Sequence, residues 1–348
     1  MANIGSTEVF KTALNAARHL AELKGLCATL PDPALLLNSI VLQESKDSSA
    51  IENIVTTQDE LYRAETGDVI DNSSAKEVLR YREAMYTGLK YMQEHQNLIT
   101  TNGLIQIVQI IKNNQAAIRN QPGTQLRSNI TNEIIYTPPC CEPEIRQKMA
   151  ELEKFINDDS NTDIDPLIKL GMIHYQFEAI HPFADGNGRA GRILNNLYLV
   201  QQNLLTQPIL YLSAYIAEHK QDYYQLLRRV TEQQQWNEWL LFILTAINKT
   251  AQLTTQKIRD MLQLKQAIET KMKAILKSSY KSELLQLLFE QPYIKIDTIV
   301  LKKIAHRETA SGYLKKLANA EILEPQKKGR TTYYINRALV NIMSNKPF

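Results

Sequence analysis

The chain has 348 residues, with 44% apolar residues and a formal net charge of +3. That length and apolar share are enough for a sizeable core plus a second, smaller unit, and they exclude a disordered chain. A near-neutral total says little about partners, but residues 281–348 hold 12 Lys and Arg against 6 Asp and Glu, which marks a basic C-terminal module.

The N-terminal stretch MANIGSTEVFKTALNAARHL lacks an apolar leader, and no run approaches the length of a membrane span. Cys27, Cys140 and Cys141 form no spaced framework, so a reducing, cytoplasmic setting without membrane contact is expected. Apolar residues recur at helical spacing over 75–92, 102–114, 142–157 and 165–180. Pro143 suits a first helical turn. Residues 126–141, LRSNITNEIIYTPPCC, are rich in β-branched residues around Thr131 and Asn132 and end in a double proline. They predict a β-hairpin followed by a break. Residues 236–277 predict one or two long helices that link two halves. From 282 the rhythm shortens to three helices and then two strands around a Lys-Lys-Gly-Arg turn, the order of a winged helix-turn-helix. The fold class is therefore mainly α.

The densest chemistry is HPFADGNGR at 181–189. Pro182 stops the preceding helix and leaves His181 at the mouth of a loop, where a neutral imidazole can take a proton from a hydroxyl. Asp185 offers the single carboxylate typical of a magnesium site completed by phosphates and water. Gly186 and Gly188 flank Asn187 and allow backbone N–H groups to turn inward beside the start of the next helix, an anion-binding arrangement. Arg189 and Arg192 lie three apart and carry forked donors suited to phosphates. A base, a metal ligand, a nest and two arginines describe phosphoryl or nucleotidyl transfer from a nucleotide. A His174, His181 and Asp185 metal cluster is the weaker alternative, because no third strong ligand stands near.

HPFADGNGRAGR (181–192) resembles the signature of the Fic (filamentation induced by cAMP) family, HPFx[DE]GNGRxxR, at every fixed position. The resemblance runs over roughly 40–245 and implies an all-α core with a β-hairpin flap that holds a target segment. It implies transfer of AMP from ATP, with Mg2+, to a Ser, Thr or Tyr hydroxyl of a protein, which can be the chain itself. His181 would be the base and Asp185 the metal ligand. Gly186, Asn187, Gly188, Arg189, Ala190, Gly191 and Arg192 would hold ATP, Phe183 would anchor the loop, and Tyr224 would touch the nucleotide. Gly188 stands where a phosphorylating relative has lysine, which favours AMP transfer.

SSAIEN (48–53) is similar to the family's inhibitory pattern [ST]xxxE[GN] through Ser48, Glu52 and Asn53. Glu52 would then pair with Arg192 and restrain ATP, and removal of AMP is left open beside transfer. The competing reading of the same letters is a helix N-terminal capping box from Ser49 to Glu52. The implied organisation is a helical region over 1–100, a catalytic core over 101–245, linking helices over 246–280 and a winged helix over 281–348. Lys302, Lys303, Lys315, Lys316, Lys327, Lys328 and Arg330 would let that last unit touch DNA, and a DNA-binding regulator is the second functional class. Against it stands a plain solvated face or a homodimer contact.

Overall fold

The structure is a computed structural model, and it describes residues 5–30, 33–68, 72–120, 126–127, 134–158 and 163–345. Its helices are α1 (Thr7–Ala28), α2 (Pro33–Ile51), α3 (Gln58–Glu65), α4 (Ser73–Glu94), α5 (Thr101–Lys112), α6 (Glu142–Asn157), α7 (Pro166–Ile180), α8 (Asn187–Gln201), α9 (Leu212–Glu218), α10 (Lys220–Gln233), α11 (Trp236–Leu276), α12 (Ser282–Glu290), α13 (Ile296–Leu301), α14 (Arg307–Asn319) and α15 (Arg337–Ser344). Strands β1 (Leu126–Arg127) and β2 (Ile134–Tyr136) pair antiparallel. Strands β3 (Tyr293–Ile294), β4 (Glu324–Lys328) and β5 (Thr331–Ile335) form an antiparallel sheet in the order β3-β5-β4. The chain is thus mainly α. The Thr131-Asn132 turn of the expected hairpin lies outside the described residues.

Local signals set the element ends. Asp165 caps α7 by accepting from the amides of Leu167 and Ile168, and Pro166 occupies the first helical position, where its missing N–H costs nothing. Thr57 and Glu60 close a reciprocal capping box on α3. The expected one or two linking helices are a single 41-residue helix, α11, about 60 Å long at 1.5 Å per residue. Short β3 and terminal α15 were not foreseen, because two residues are too few to show alternation and α15 follows β5 with little warning.

Helix α11 is the spine. Along its length it packs against α1, α7, α9 and α10 and against α12, α14 and α15. Lys257, midway along it and buried, donates to the carbonyls of Ile342, Met343 and Asn345 at 2.7 Å each, so the orphan carbonyls at the end of α15 are satisfied by a cation. Trp239 is fully buried, stacks on the ring of His174 and donates its indole N–H to the Gly171 carbonyl at 2.8 Å. A Cβ at Gly171 would run into Leu240, so α7 and α11 approach at backbone distance.

Helix α2 is unusual for a core element. Gln43, Glu44, Ser45, Asp47, Ser48 and Ser49 are all buried. One edge, through Leu42, joins an apolar cluster with Tyr62, Tyr293, Tyr333, Ile335 and Val340, which seats the C-terminal unit on α2 and α3. Asp68 reinforces that contact by accepting from Lys295 and from the Tyr333 hydroxyl.

Replacing Trp239 with Phe should keep the fold but remove the indole bond that the Gly171 carbonyl accepts beside its helical one, at a cost of about 0.5–1.5 kcal/mol plus the lost ring volume. Urea unfolding followed by circular dichroism should show the midpoint fall, and an unchanged midpoint would contradict this account of the α7–α11 contact.

Candidate active site

The loop between α7 and α8 is closed by its own atoms. His181 caps α7 at φ 48°, a left-handed conformation rare for a residue with a side chain, and its amide donates to the Phe177 carbonyl at 3.0 Å. Phe183 is fully buried beside Phe177 and pins the loop inward. The Asn187 side chain accepts from the Phe183 amide and donates to the Phe183 carbonyl, at 2.9 and 2.8 Å. Gly186 takes φ +89° at the N-cap of α8, so the first amides of α8 face the loop as free donors.

Arg119 clamps this loop from outside. It donates from Nε to the His181 carbonyl at 2.8 Å, from its amide to the Pro182 carbonyl at 2.9 Å, and from Nη2 to the Pro139 carbonyl at 2.6 Å. The Tyr136 hydroxyl donates to the Ala179 carbonyl at 2.7 Å. The end of the hairpin is therefore tied directly to the residues around His181. Burial first, and then the Arg119 charge, lower the His181 pKa to about 4, so the imidazole is neutral at pH 7. Its Nδ1 is enclosed and unpartnered among the described residues.

Arg192 is 1% exposed. Burial opposes its charge most strongly, but the Glu52 carboxylate together with Tyr223, Tyr81 and Tyr224 outweighs it and holds the guanidinium protonated. Its Nε donates to Ser48 Oγ, and its Nη2 to the Ser48 carbonyl and to Glu52 Oε1, all at 2.8 Å. A Cβ on Gly188 would collide with Glu52 Oε1, so only glycine admits the carboxylate there. Ser48 to Glu52 lie at the C-terminal end of α2, so the capping-box alternative, which needs a helix N-terminus, is excluded. Asn53 follows at φ 61° and accepts from Lys220.

Glu52, Asn53, His181, Gly188, Arg192 and Tyr224 line one cavity of about 910 Å³, within the size range of small-molecule sites. The other expected residues stand around it rather than in its wall. Ser48 supports Arg192 from below, Asn187 spends its side chain on the loop, and Ala190 is core. Arg189 diverges from Arg192: its guanidinium pairs with Glu77 of α4 and, at 3.5 Å, with Asp185. The two forks thus diverge in this structure, Arg189 held by Glu77 and Arg192 by Glu52. Asp185 is also outside the cavity wall and holds the Lys112 ammonium at 2.5 Å. Its carboxyl is lowered despite burial by Lys112 and Arg189, so it is ionised. An exposed, ionised carboxylate that already faces a cation is of the kind that suits a hard divalent ion.

His174 is a fully buried core residue with both ring nitrogens engaged, Nε2 by Tyr223 and Nδ1 by Asn195, which removes it from any metal set. Sequence reasoning missed Arg119, Lys112, Glu77 and the buried Glu44. Glu44 accepts from the Ser213 amide and hydroxyl at 2.9 and 2.5 Å and is pushed up to about 7 by burial. Only Glu44 left a trace, as an acid inside an otherwise helical apolar stretch.

Family models match the chain in three places: "Fic/DOC family N-terminal" over 10–90, "Fic/DOC family" over 98–199, and "Protein adenylyltransferase SoFic-like, C-terminal domain" over 264–339. The protein adenylyltransferase fic-1 of Caenorhabditis briggsae is 36% identical over 66 residues, 19% of this chain and 13% of that protein. A probable protein adenylyltransferase of Aquifex aeolicus is 57% identical over 42 residues, 12% of this chain and 13% of that one. The chain thus spans about an eighth of the length of these curated relatives. A Fic family protein from Desulfovibrio desulfuricans shares the fold at TM-score 0.58, with 20% identity, 93% of this chain and 95% of that chain covered. Fic-1 of Caenorhabditis elegans does so at TM-score 0.54, with 19% identity, 69% and 70% covered. No described helix is long and apolar enough to cross a membrane. With these three modules in succession and the HPFADGNGR loop inside the second, the chain belongs to the Fic/DOC family.

Proposed function

We propose that the protein transfers AMP from ATP to a Ser, Thr or Tyr hydroxyl of a protein, itself included, and that Glu52 restrains the reaction. The observation that carries this reading is the meeting of His181, Gly188 and Arg192 in one cavity, with Glu52 on the arginine. The names of the relatives, protein adenylyltransferases, support the same class of reaction.

In this reading the nucleotide's phosphates lie against the amides at the start of α8 and against Arg192. The target hydroxyl attacks the α-phosphorus, the bond to the bridging oxygen breaks, pyrophosphate leaves, and His181 accepts the hydroxyl proton. Arg119 orients His181 through its carbonyl without touching the ring. Asp185 would hold Mg2+, which neutralises phosphate charge when bound. The hairpin end, tied to the loop by Tyr136, would align the target segment. The same site run with water as acceptor would remove AMP.

The division into a helical region over 1–100, core over 101–245, linking helices over 246–280 and winged helix over 281–348 belongs to this proposal, as does a cytoplasmic setting. The competing DNA-binding reading rests on the basic side chains of the C-terminal unit, two of which are held in ion pairs. Lys295 is bound to Asp68 and Lys302 to Glu290. Lys303, Lys315, Lys316, Lys327, Lys328 and Arg330 are exposed, so contact with a DNA backbone through α14 and the β4–β5 turn stands as the second reading.

Three measurements test the reading. Glu52→Gly should raise self-AMPylation with labelled ATP by about ten-fold or more, the factor that each 1.4 kcal/mol of restored phosphate positioning supplies. Adding Arg192→Ala should cancel the gain, because the freed guanidinium is its cause. A Glu52→Gly protein no more active than wild type, on itself and on candidate targets, would sink the restraint.

In the Glu52→Gly background, His181→Ala should lower the rate about 10²–10⁴-fold while ATP still binds. Near-undiminished transfer by a folded His181→Ala protein removes His181 as the base.

The depressed His181 pKa also fixes a pH dependence. A base lowered from 6.5 to about 4 stays unprotonated through mild acid, so kcat/KM should hold level from pH 7 to 5.5 and fall only as pH approaches 4. A decline centred near 6.5 would mean that the imidazole is an ordinary exposed one.

A further inference from the structure

Glu178 takes no part in the reaction just described, yet it lines the same cavity. It sits on α7 three residues before His181, one turn back along the helix. Its Oε1 is enclosed and has no hydrogen-bond partner among the described residues. A Cβ on Gly191 of α8 would collide with that oxygen, so the carboxyl tip is pressed against helix backbone and only glycine leaves it room. Burial pushes the carboxyl up to about 8, against the pull of Arg192, and nearby Glu52 adds to the rise. At pH 7 the group is a neutral acid. It cannot serve as a second base, and it is a poor metal ligand. It can donate one hydrogen bond and accept others. Leaving a buried polar oxygen unpaired is costly, and one that persists in a cavity wall calls for a ligand to complete it.

The groups that share the cavity with Glu178 indicate which part of a ligand that is. Gly188 and Arg192 form the anionic end, where Glu52 now sits. Tyr224 and Leu227 of α10 line the same cavity and offer an aromatic and an apolar face to a base, and Glu178 lies within electrostatic reach of both Arg192 and Tyr224. A nucleotide with its phosphates at one end and its base at the other brings its sugar to the joint between them. A ribose hydroxyl both donates and accepts, the match for a neutral carboxyl.

Resting on the reading that this cavity takes ATP, we propose that Glu178 reads the sugar: its carboxyl hydrogen-bonds a ribose hydroxyl and selects ribonucleotides over deoxyribonucleotides. Gly191 is then a specificity-determining position too, since it makes space for the carboxyl.

The test measures binding of ATP, 2′-deoxy-ATP and 3′-deoxy-ATP by calorimetry. The Glu52→Gly protein is used so that Arg192 is free. With Glu178 present, ATP should bind roughly ten-fold tighter than at least one deoxy analogue, the worth of one well-made hydrogen bond. Glu178→Ala should bind ATP and that analogue equally. Glu178→Met, which fills the space without a polar atom, should do the same and covers the case in which the alanine variant folds poorly. Glu178→Gln should keep the preference. If the preference for ATP survives in the Ala and Met variants, or all three nucleotides weaken by one common factor, Glu178 does not touch the sugar. If the Glu52→Gly protein binds no ATP, the nucleotide reading falls and takes this one with it. Those two failures are told apart by the ATP titration alone.

Discussion

A guanidinium that is 1% exposed must find its counter-charge inside the protein. Moving such an ion out of water costs several kcal/mol even after relaxation, and stripping one partner from a buried pair costs about 3–5 kcal/mol. Arg192 meets this demand with two oxygens of Ser48 in the last turn of α2 and one of Glu52 just beyond it. The end of α2 is thereby bound to the first turns of α8. The pairing is not interchangeable with an apolar contact, because the charge would then stay buried alone. It is interchangeable with another anion of the same reach, and a phosphate is one.

The rest of α2 is built to keep that end in place. Its inner face is polar where a core helix is usually apolar. Glu44 is bonded to Ser213 and Tyr81, and Asp47 to the Tyr211 hydroxyl. Such contacts have directional requirements that leucines lack, so they fix the rotation of the helix about its axis as well as its position. At another edge Leu42 enters the cluster with Tyr293, Tyr333 and Val340. Helix α2 therefore lies between the core that carries the loop and the C-terminal unit, and a displacement of either is felt at Glu52. Helix α11 completes the frame by packing on both.

Much of this was legible in the sequence, and the division follows the range of the interaction. Helices α4 to α7 announce themselves by local periodicity, and α6 begins with Pro143 as expected. The loop at 181–189 was legible because its chemistry is packed into nine residues, where Pro182, Gly186 and Asn187 set the backbone by themselves. What the sequence did not show are the partners that come from distant residues. Arg189 and Arg192 look equivalent at a spacing of three, yet Glu77, 112 positions away, takes the first and Glu52 takes the second. Asp185 looks like a free carboxylate until Lys112 is folded beside it. Arg119 lies in a segment without periodicity and acts mainly on backbone carbonyls, which carry no side-chain signature.

The letters at 48–53 are the sharpest instance, since they suit either end of a helix. At an N-terminus a glutamate is stabilised by the free amides, and at a C-terminus it faces the carbonyl ends and is disfavoured by about 0.3–1 kcal/mol. Glu52 follows the last residue of α2, Ile51, and so stands on the unfavourable side of its own helix. What compensates it comes from the other helix. Arg192 supplies a full charge, and Gly188 in the first turn of α8 lets the carboxylate approach the positive end of that helix without a side chain between. Glu52 is thus an anion poorly suited to its own helix and well suited to its neighbour. Its hold on the site depends on Arg192 and the start of α8, the same donors that a nucleotide phosphate would use. That shared dependence makes the contact reversible: an anion with more oxygens can displace the carboxylate without any donor being left unpaired.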